Sequence, residues 1–285
     1  MRLLVTGGAG FIGSHLVEHW LAHHPDDRIV VVDLLTYAAD AEAVSGLGPA
    51  VTLLQADVAD SDAMADALRD HAVDVVVHLA AESHNSLAVV DPQRFVHTNV
   101  VGTFGVLDAA RRVGVARFHH VSTCEVYGDL ALDDPGRFGP DAPYRPGTPY
   151  SATKAAADHL VRAYHATYGM DVTISNGANT YGPRQFPEKV IPLFVARALR
   201  DEPLPVYASA DHRREWVNFL CRAHLRQRGF DSAHRTKKLR VHLTHLRIVR
   251  IGDDRRSERG FGVDPVPAHE PEVAACAGAD GSAAR

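Results

Sequence analysis

The chain has 285 residues, of which 46% are hydrophobic and 23% charged, and its formal net charge is −5. That length can bury one large core or two coupled ones, and the acidic balance gives no reason to expect nucleic acid. The N-terminus enters a strand directly, without a signal peptide, and no apolar run approaches the ~18 residues of a membrane span, so a cytoplasmic protein with no membrane partner is expected.

Residues 2–6 (Arg-Leu-Leu-Val-Thr) read as a short buried strand. Gly7-Gly8-Ala9-Gly10-Phe11-Ile12-Gly13 follows at once and opens an apolar-periodic helix carrying Leu16, Val17, Trp20 and Leu21. In such a strand–turn–helix unit Gly7 makes the tight turn and Gly10 lets the backbone approach a pyrophosphate. Gly13 lets the helix sit close to the sheet, with its N-terminus facing the phosphates. A second strand, residues 29–32, ends in Asp33, 20 residues beyond Gly13. A carboxylate there accepts from both ribose hydroxyls and repels a 2′-phosphate, so NAD is expected over NADP. Residues 51–55 form a strand leading to Asp57-Val58, where an acid can accept from an adenine amino group.

Residues 62–71 read as a helix and 73–79 as a buried strand ending in Ala80-Ala81. A helix near 91–113 carries Asn99, a strand at 117–122 delivers Thr123 to its C-terminal end, residues 150–168 are helical, and 172–178 form a further strand. Strands alternating with helices imply an α/β fold, a Rossmann-type doubly wound parallel sheet with ligands at the strands' carboxyl ends. Asp33, Asp57, Ala81 and Thr123 all fall at that edge.

Thr123-Cys124-Glu125, followed 25 residues later by Tyr150-x-x-x-Lys154, carries the chemistry. A tyrosine takes the proton of a sugar hydroxyl only if its pKa falls well below its usual ~10. A lysine one helical turn away lies on the same face and can supply the charge that lowers it. Thr123 can hold the same hydroxyl. Glu125 is superfluous for simple alcohol oxidation and suggests a second step. The 18 histidines are scattered, and Cys124, Cys221 and Cys276 show no paired spacing, so neither a metal site nor a disulfide framework is expected.

Together these residues resemble the extended short-chain dehydrogenase/reductases, and more closely the dTDP-glucose 4,6-dehydratase family. The resemblance spans residues 1–218. It rests on Gly7–Gly13, Asp33-Leu-Leu-Thr-Tyr37, Leu79-Ala-Ala-Glu-Ser-His84, Asn99-Val-Val-Gly-Thr103, Ser122–Gly128, Tyr150–Lys154, residues 179–189 and Arg214-Glu-Trp216. It implies an internal redox cycle on a dTDP- or UDP-linked hexose. Tyr150, with Lys154 and Thr123, takes the C4 hydroxyl proton while hydride passes to NAD; Glu125 removes the C5 proton; the C6 hydroxyl leaves as water; hydride returns to C6. It further implies a cofactor site of Gly7, Gly10, Phe11, Ile12, Gly13, Asp33, Asp57, Val58, Leu79, Ala81, Asn99, Tyr150 and Lys154. The implied substrate contacts are Ser83, His84, Thr123, Asn179, Glu188, Lys189, Val190 and Arg214. A homodimer pairing the Asn99 and Tyr150 helices is implied as well, with Val100, Phe104, Leu107, Leu160 and Val161 as surface candidates.

The chain departs from that family in several places. Cys124 stands where the family has an aspartic acid, the acid for the C6 hydroxyl. A thiol with pKa near ~8.5 can donate, though more weakly than a carboxyl; alternatively Cys124 packs inertly and water or Glu125 supplies the proton. Asn85-Ser86-Leu87 replaces a stretch with an Asp-Arg pair, and Thr180 a second asparagine. Such drift also fits a UDP-N-acetylsugar 5,6-dehydratase, or an extended-family epimerase or decarboxylase. Residues 1–218 carry a net charge of −10, whereas 219–285 hold 13 Lys+Arg against 8 Asp+Glu. The expected organisation is a dinucleotide domain at 1–178, a partial sugar-nucleotide region at 179–218, and an atypical tail at 219–285, basic and then rich in Ala, Gly and Pro. An inactive, truncated NAD-binding protein is the competing reading.

Overall fold

The computed structural model describes residues 1–130, 136, 138–139, 141–205, 216–218 and 247–250. Its first unit is β1 (Arg2–Thr6), α1 (Phe11–His23), β2 (Arg28–Asp33), α2 (Glu42–Ser45) and β3 (Val51–Gln55). Then come α3 (Ser61–Asp70), β4 (Val75–His78), α4 (Asn85–Val90), α5 (Pro92–Phe95) and a π-helical turn (Val96–Val101) that runs into α6 (Gly102–Val113). β5 (Arg117–Thr123), a 3₁₀ turn (Cys124–Tyr127), α7 (Pro149–Tyr168) and β6 (Val172–Gly177) complete the nucleotide-type half. Beyond it lie β7 (Asn179–Tyr181), α8 (Val190–Ala198), β8 (Trp216–Asn218) and β9 (Arg247–Arg250).

The large sheet runs β3-β2-β1-β4-β5-β6-β9. Its first six strands are parallel, with Leu3 opposite both Ile29 and Val75, and β9 pairs antiparallel with β6. The order reverses between β1 and β4, and it is outside the carboxyl ends of such strands that an open α/β sheet binds its ligand. β7 and β8 make a separate parallel pair.

Period-two alternation divides the core. Leu3, Val5, Ile29, Val31, Val75 and Val77 face α1 and α2, meeting Val17 and Val44. Leu4, Val30, Val32, Val76, Phe118 and Ile174 point the other way, onto Met64, Leu68, Val106, Leu107 and Val161 of α3, α6 and α7. Phe118 is wholly buried, and truncating it to alanine should cost about 3–5 kcal/mol. Helix starts follow their capping residues. Asp60 accepts from Asp62 and Ala63 N–H groups ahead of α3, and Thr148 with Ser151 forms a capping box ahead of α7.

One expectation is refined and one changes. The helix near 91–113 is present, capped by Asp91 ahead of Pro92 and continuous to Val113, but it carries a π turn that holds Asn99. Leu107 and Val161 are not surface residues, since both belong to the core; on the same elements Val96, Val101 and Phe104 are exposed instead. Arg214, Cys221, Cys276 and the basic stretch from Arg222 to Arg228 lie outside the described residues. Of the tail's 219–285, only β9 falls within them.

Candidate active site

At the end of β1, Gly7 adopts φ +67°, and a Cβ there would come within 2.7 Å of the Ala80 backbone nitrogen. A Cβ on Gly13 would fall 2.2 Å from the Gly7 carbonyl oxygen, so both positions require glycine for close backbone approach. Gly10 differs. Its Cβ would meet only the Gly7 oxygen, at 3.3 Å, so the space on its outer side is open. Gly10 also begins α1 without any side-chain cap, which leaves a helix N-terminus, with Phe11 and Ile12 as its first residues, facing that space.

Asp33 is buried, with one carboxylate oxygen accepting from Ala9 N–H at 3.0 Å and the other from Leu35 N–H at 2.9 Å. Burial raises its pKa, and the two N–H groups pull the opposite way. An uncapped helix N-terminus beside an open glycine and a braced carboxylate fits a dinucleotide whose ribose lies near Asp33. Leu79 and Ala81 flank this edge at the end of β4. Asp57 accepts from Ala59 N–H and from His97, each at 2.9 Å. Its partial burial raises its pKa, but those two partners outweigh it and hold the carboxyl below its ordinary value. Val58 is a core residue lying against Gly102, so any contact it makes with a cofactor is through its backbone.

Asn99 is buried and fully engaged. It accepts from Glu82 N–H at 2.8 Å and donates to the Glu82 carbonyl and to Thr153 Oγ1, each at 3.0 Å. It ties the loop after β4 to α7.

β5 brings Thr123 to the site buried, and the 3₁₀ turn then places Cys124 and a buried Glu125. Thr123 Oγ1 accepts from Glu125 N–H at 3.3 Å. Tyr150, near the start of α7, has its pKa raised by burial and by the negative charge of Glu125, while a hydrogen bond with Thr123 acts in the lowering direction. The lowered tyrosine expected from the sequence is therefore not seen here. Lys154 is not hydrogen-bonded to the phenol among the described residues: its Nζ donates to the Val121 carbonyl at 2.8 Å and lies 3.3 Å from His120 Nε2. Burial lowers the lysine to about 8 despite Asp158. Cys124 is disulfide-bonded, contrary to the expectation from cysteine spacing.

Lys189 Nζ donates to the Ser83 carbonyl and lies 3.7 Å from Glu188. Burial lowers the Lys189 pKa against the pull of Glu188 and Glu125. His84, the residue before α4, is half-buried between them in effect: burial and Lys189 lower its pKa while Glu188 raises it. Asn179 on β7 carries a buried Nδ2 with no hydrogen-bond partner among the described residues. Val190, the first residue of α8, is exposed. Sequence reasoning missed Tyr37, whose hydroxyl donates to Glu188 at 2.7 Å while its ring meets Phe186 edge-on. It also missed Asp158, fully buried and accepting from Ser122 and Tyr144. Asp158 was findable, because Tyr150, Lys154 and Asp158 repeat at four-residue spacing on one helix face.

The glycine turn on α1, the acid after β2 and the Tyr–Lys pair on α7 together define an α/β nucleotide-binding protein of the extended short-chain dehydrogenase/reductase type. The chain belongs to the NAD dependent epimerase/dehydratase family, whose model matches residues 3–220. It is 49% identical over 218 residues to the dTDP-glucose 4,6-dehydratase of Mycobacterium tuberculosis, covering 76% of this chain and 65% of that one. Among solved structures it is similar to the dTDP-glucose 4,6-dehydratase DesIV of Streptomyces venezuelae with NAD bound (TM-score 0.73, 45% identity, 77% of this chain and 68% of that one). It is also similar to the UDP-glucose 4-epimerase of Thermus thermophilus in complex with NAD (TM-score 0.70, 33% identity, 77% and 71%). The chain thus spans a little under two thirds of the length of the curated relatives it matches.

Proposed function

We propose that this chain is an NAD-dependent nucleotide-sugar 4,6-dehydratase, a hydro-lyase, with dTDP-glucose as the first candidate substrate. The observation that carries the reading is the convergence of a buried Glu125 and a half-buried Tyr150 in one site, close enough for the carboxylate's charge to act on the phenol. Oxidation alone needs one base; elimination needs a second. Gly7, Gly10, Gly13 and Asp33 would hold NAD, which when bound accepts hydride from C4 and returns it to C6.

Tyr150 takes the C4 hydroxyl proton. It does so as the phenolate, so the phenol must first give up its own proton; burial disfavours that ionisation, and the positive charge of Lys154, present below about 8, favours it. Thr123 orients the hydroxyl. The C4 carbonyl then acidifies the neighbouring C5–H, and Glu125 removes that proton; the electron pair forms the C5=C6 double bond as the C6 hydroxyl departs, and C5 takes a proton back when C6 receives hydride. A proton from Glu125, from water or, once its disulfide is reduced, from the Cys124 thiol completes the water that leaves. Asn179, Glu188, Lys189 and Arg214 are assigned to the nucleotide sugar, and the unpaired Asn179 amide supports this assignment.

Among the described residues no helix is long and apolar enough to cross a membrane. A cytoplasmic homodimer is the setting we infer, its interface built on the exposed Val96, Val101 and Phe104. A sedimentation experiment showing only monomer at micromolar concentration would remove that interface.

The test is to incubate the full chain with NAD and dTDP-glucose or UDP-N-acetylglucosamine and to analyse products by mass spectrometry. Loss of water from a sugar supports the dehydratase; a change of configuration at constant mass supports an epimerase. Bound NAD with both sugars unchanged rejects an enzyme acting on either. In Glu125→Gln, C4 oxidation should survive while exchange of the C5 hydrogen with solvent deuterium is lost.

A further inference from the structure

Asn85 opens α4 half-buried at the edge of the site, and its carboxamide bridges two elements that each carry a base. Its Nδ2 donates to Glu125 Oε2 at 3.2 Å, and its Oδ1 accepts from Thr148 Oγ1 at 3.3 Å. Thr148 is the capping residue of α7, two positions before Tyr150. Its hydroxyl has one proton to give. Ser151 Oγ can donate to the Thr148 carbonyl at 3.0 Å, which frees the threonine proton for Asn85. The carboxamide is thereby oriented: reversed, it would set an oxygen against the Glu125 carboxylate and an N–H against a hydroxyl proton.

We infer that Asn85 is a positioning residue for Glu125, fixing the orientation in which its carboxylate removes the C5 proton. This rests on the dehydratase reading above. The chain of donors runs from the α7 cap through Thr148 and Asn85 to Glu125. The base that acts on C5 is therefore held in register with the helix that carries Tyr150. A hydrogen bond to a charged acceptor is stronger than a neutral one, and its loss lets the carboxylate rotate away from the geometry that proton transfer needs. Asn85 itself touches neither reacting atom in this scheme. Its removal should leave C4 oxidation and substrate affinity as they are and slow only the step that belongs to Glu125.

The experiment compares the full-length wild type with Asn85→Leu, nearly the same shape without a donor, and with Asn85→Ala, should leucine disturb folding. C5 hydrogen–deuterium exchange and kcat for water loss should fall by about tenfold to a hundredfold, the range for a lost hydrogen bond to a charged group. KM and the rate of C4 oxidation should be unchanged, a split that general damage to the site would not produce. Wild-type C5 exchange in both variants overturns the inference, as does a parallel fall in C4 oxidation or a raised KM at unchanged kcat. If instead the wild type leaves the sugar intact, the dehydratase reading fails and takes this role with it. An active wild type with unaffected variants removes Asn85 alone.

Discussion

The ammonium of Lys154 donates to the main-chain oxygen of Val121 at 2.8 Å, and among the described residues no hydrogen bond joins it to Tyr150. The helix spacing puts the two side chains on one face, but the lysine turns inward to the sheet. There His120 Nε2 lies 3.3 Å from both Lys154 Nζ and Asp158 Oδ1. Lys154 thus acts on the site as a nearby charge rather than as a partner of the phenol.

That placement fixes the pH behaviour of the first step. Lys154 is charged below about 8 and neutral above it. A C4 oxidation that depends on the ammonium should therefore fall as pH rises through about 8. Lys154→Met should lose this alkaline limb and run slower by roughly 10²–10⁴-fold, the size of a proton-transfer contribution. Single-turnover oxidation rates across pH measure it. A wild-type rate that keeps climbing well above that pH would remove the charge requirement.

Asp33 should decide cofactor choice. Its carboxylate is already braced by Ala9 and Leu35, so it cannot swing aside to admit a 2′-phosphate. NAD should bind more tightly than NADP by at least about tenfold, or 1.4 kcal/mol, and Asp33→Asn should narrow the gap. Equal affinities in a direct titration would contradict the assignment.

Acid should destabilise the fold through its buried histidines. Burial lowers His119 and His120 to about 4 and holds His78 well below its ordinary 6.5. Between about 4 and 6.5 the His119 and His120 rings are neutral in the folded state and protonated in the unfolded one. The unfolded state then binds more protons, so stability is full above 6.5 and declines as pH falls through that window. Each of His119 and His120 contributes on the order of 3 kcal/mol across it. Melting temperature should drop accordingly, and His119→Gln, which keeps a partner for Thr173, should flatten the slope. An equal slope in that variant would assign the acid sensitivity elsewhere.

Most of the sheet could be read from the sequence because its determinants are local. The valine-rich runs at 29–32 and 75–77 are bounded by turn residues, and Gly7 and Gly13 sit where only glycine fits. The π turn around Asn99 was not legible, because it depends on where the Asn99 amide finds the Glu82 backbone, a tertiary contact. For the same reason the site's residue types could be listed but their couplings could not. Nothing in the spacing of Asn85, Glu125 and Thr148 announces that they meet. The direction of the Tyr150 pKa was misjudged because helical spacing shows proximity to Lys154 but not burial or the neighbouring charge of Glu125.

Cys124 separates two accounts of how the C6 hydroxyl leaves. As a disulfide it has no proton to give, so a thiol acid requires reduction, and turnover should then rise on adding a reductant. Under reducing conditions Cys124→Ser should slow water loss by roughly 10²–10⁴-fold if the thiol is the acid. Cys124→Asp should restore or raise it, since a carboxyl is the stronger acid. If the cysteine only packs, serine should change little, and aspartate should impair the enzyme by placing a charge on a half-buried turn beside Glu125. The two accounts thus give opposite orders for the same pair of variants. We expect serine to be the slower of the two. Wild-type turnover in Cys124→Ser, measured with reductant present and C5 exchange followed in parallel, would eliminate the thiol and leave Glu125 or water as the proton source.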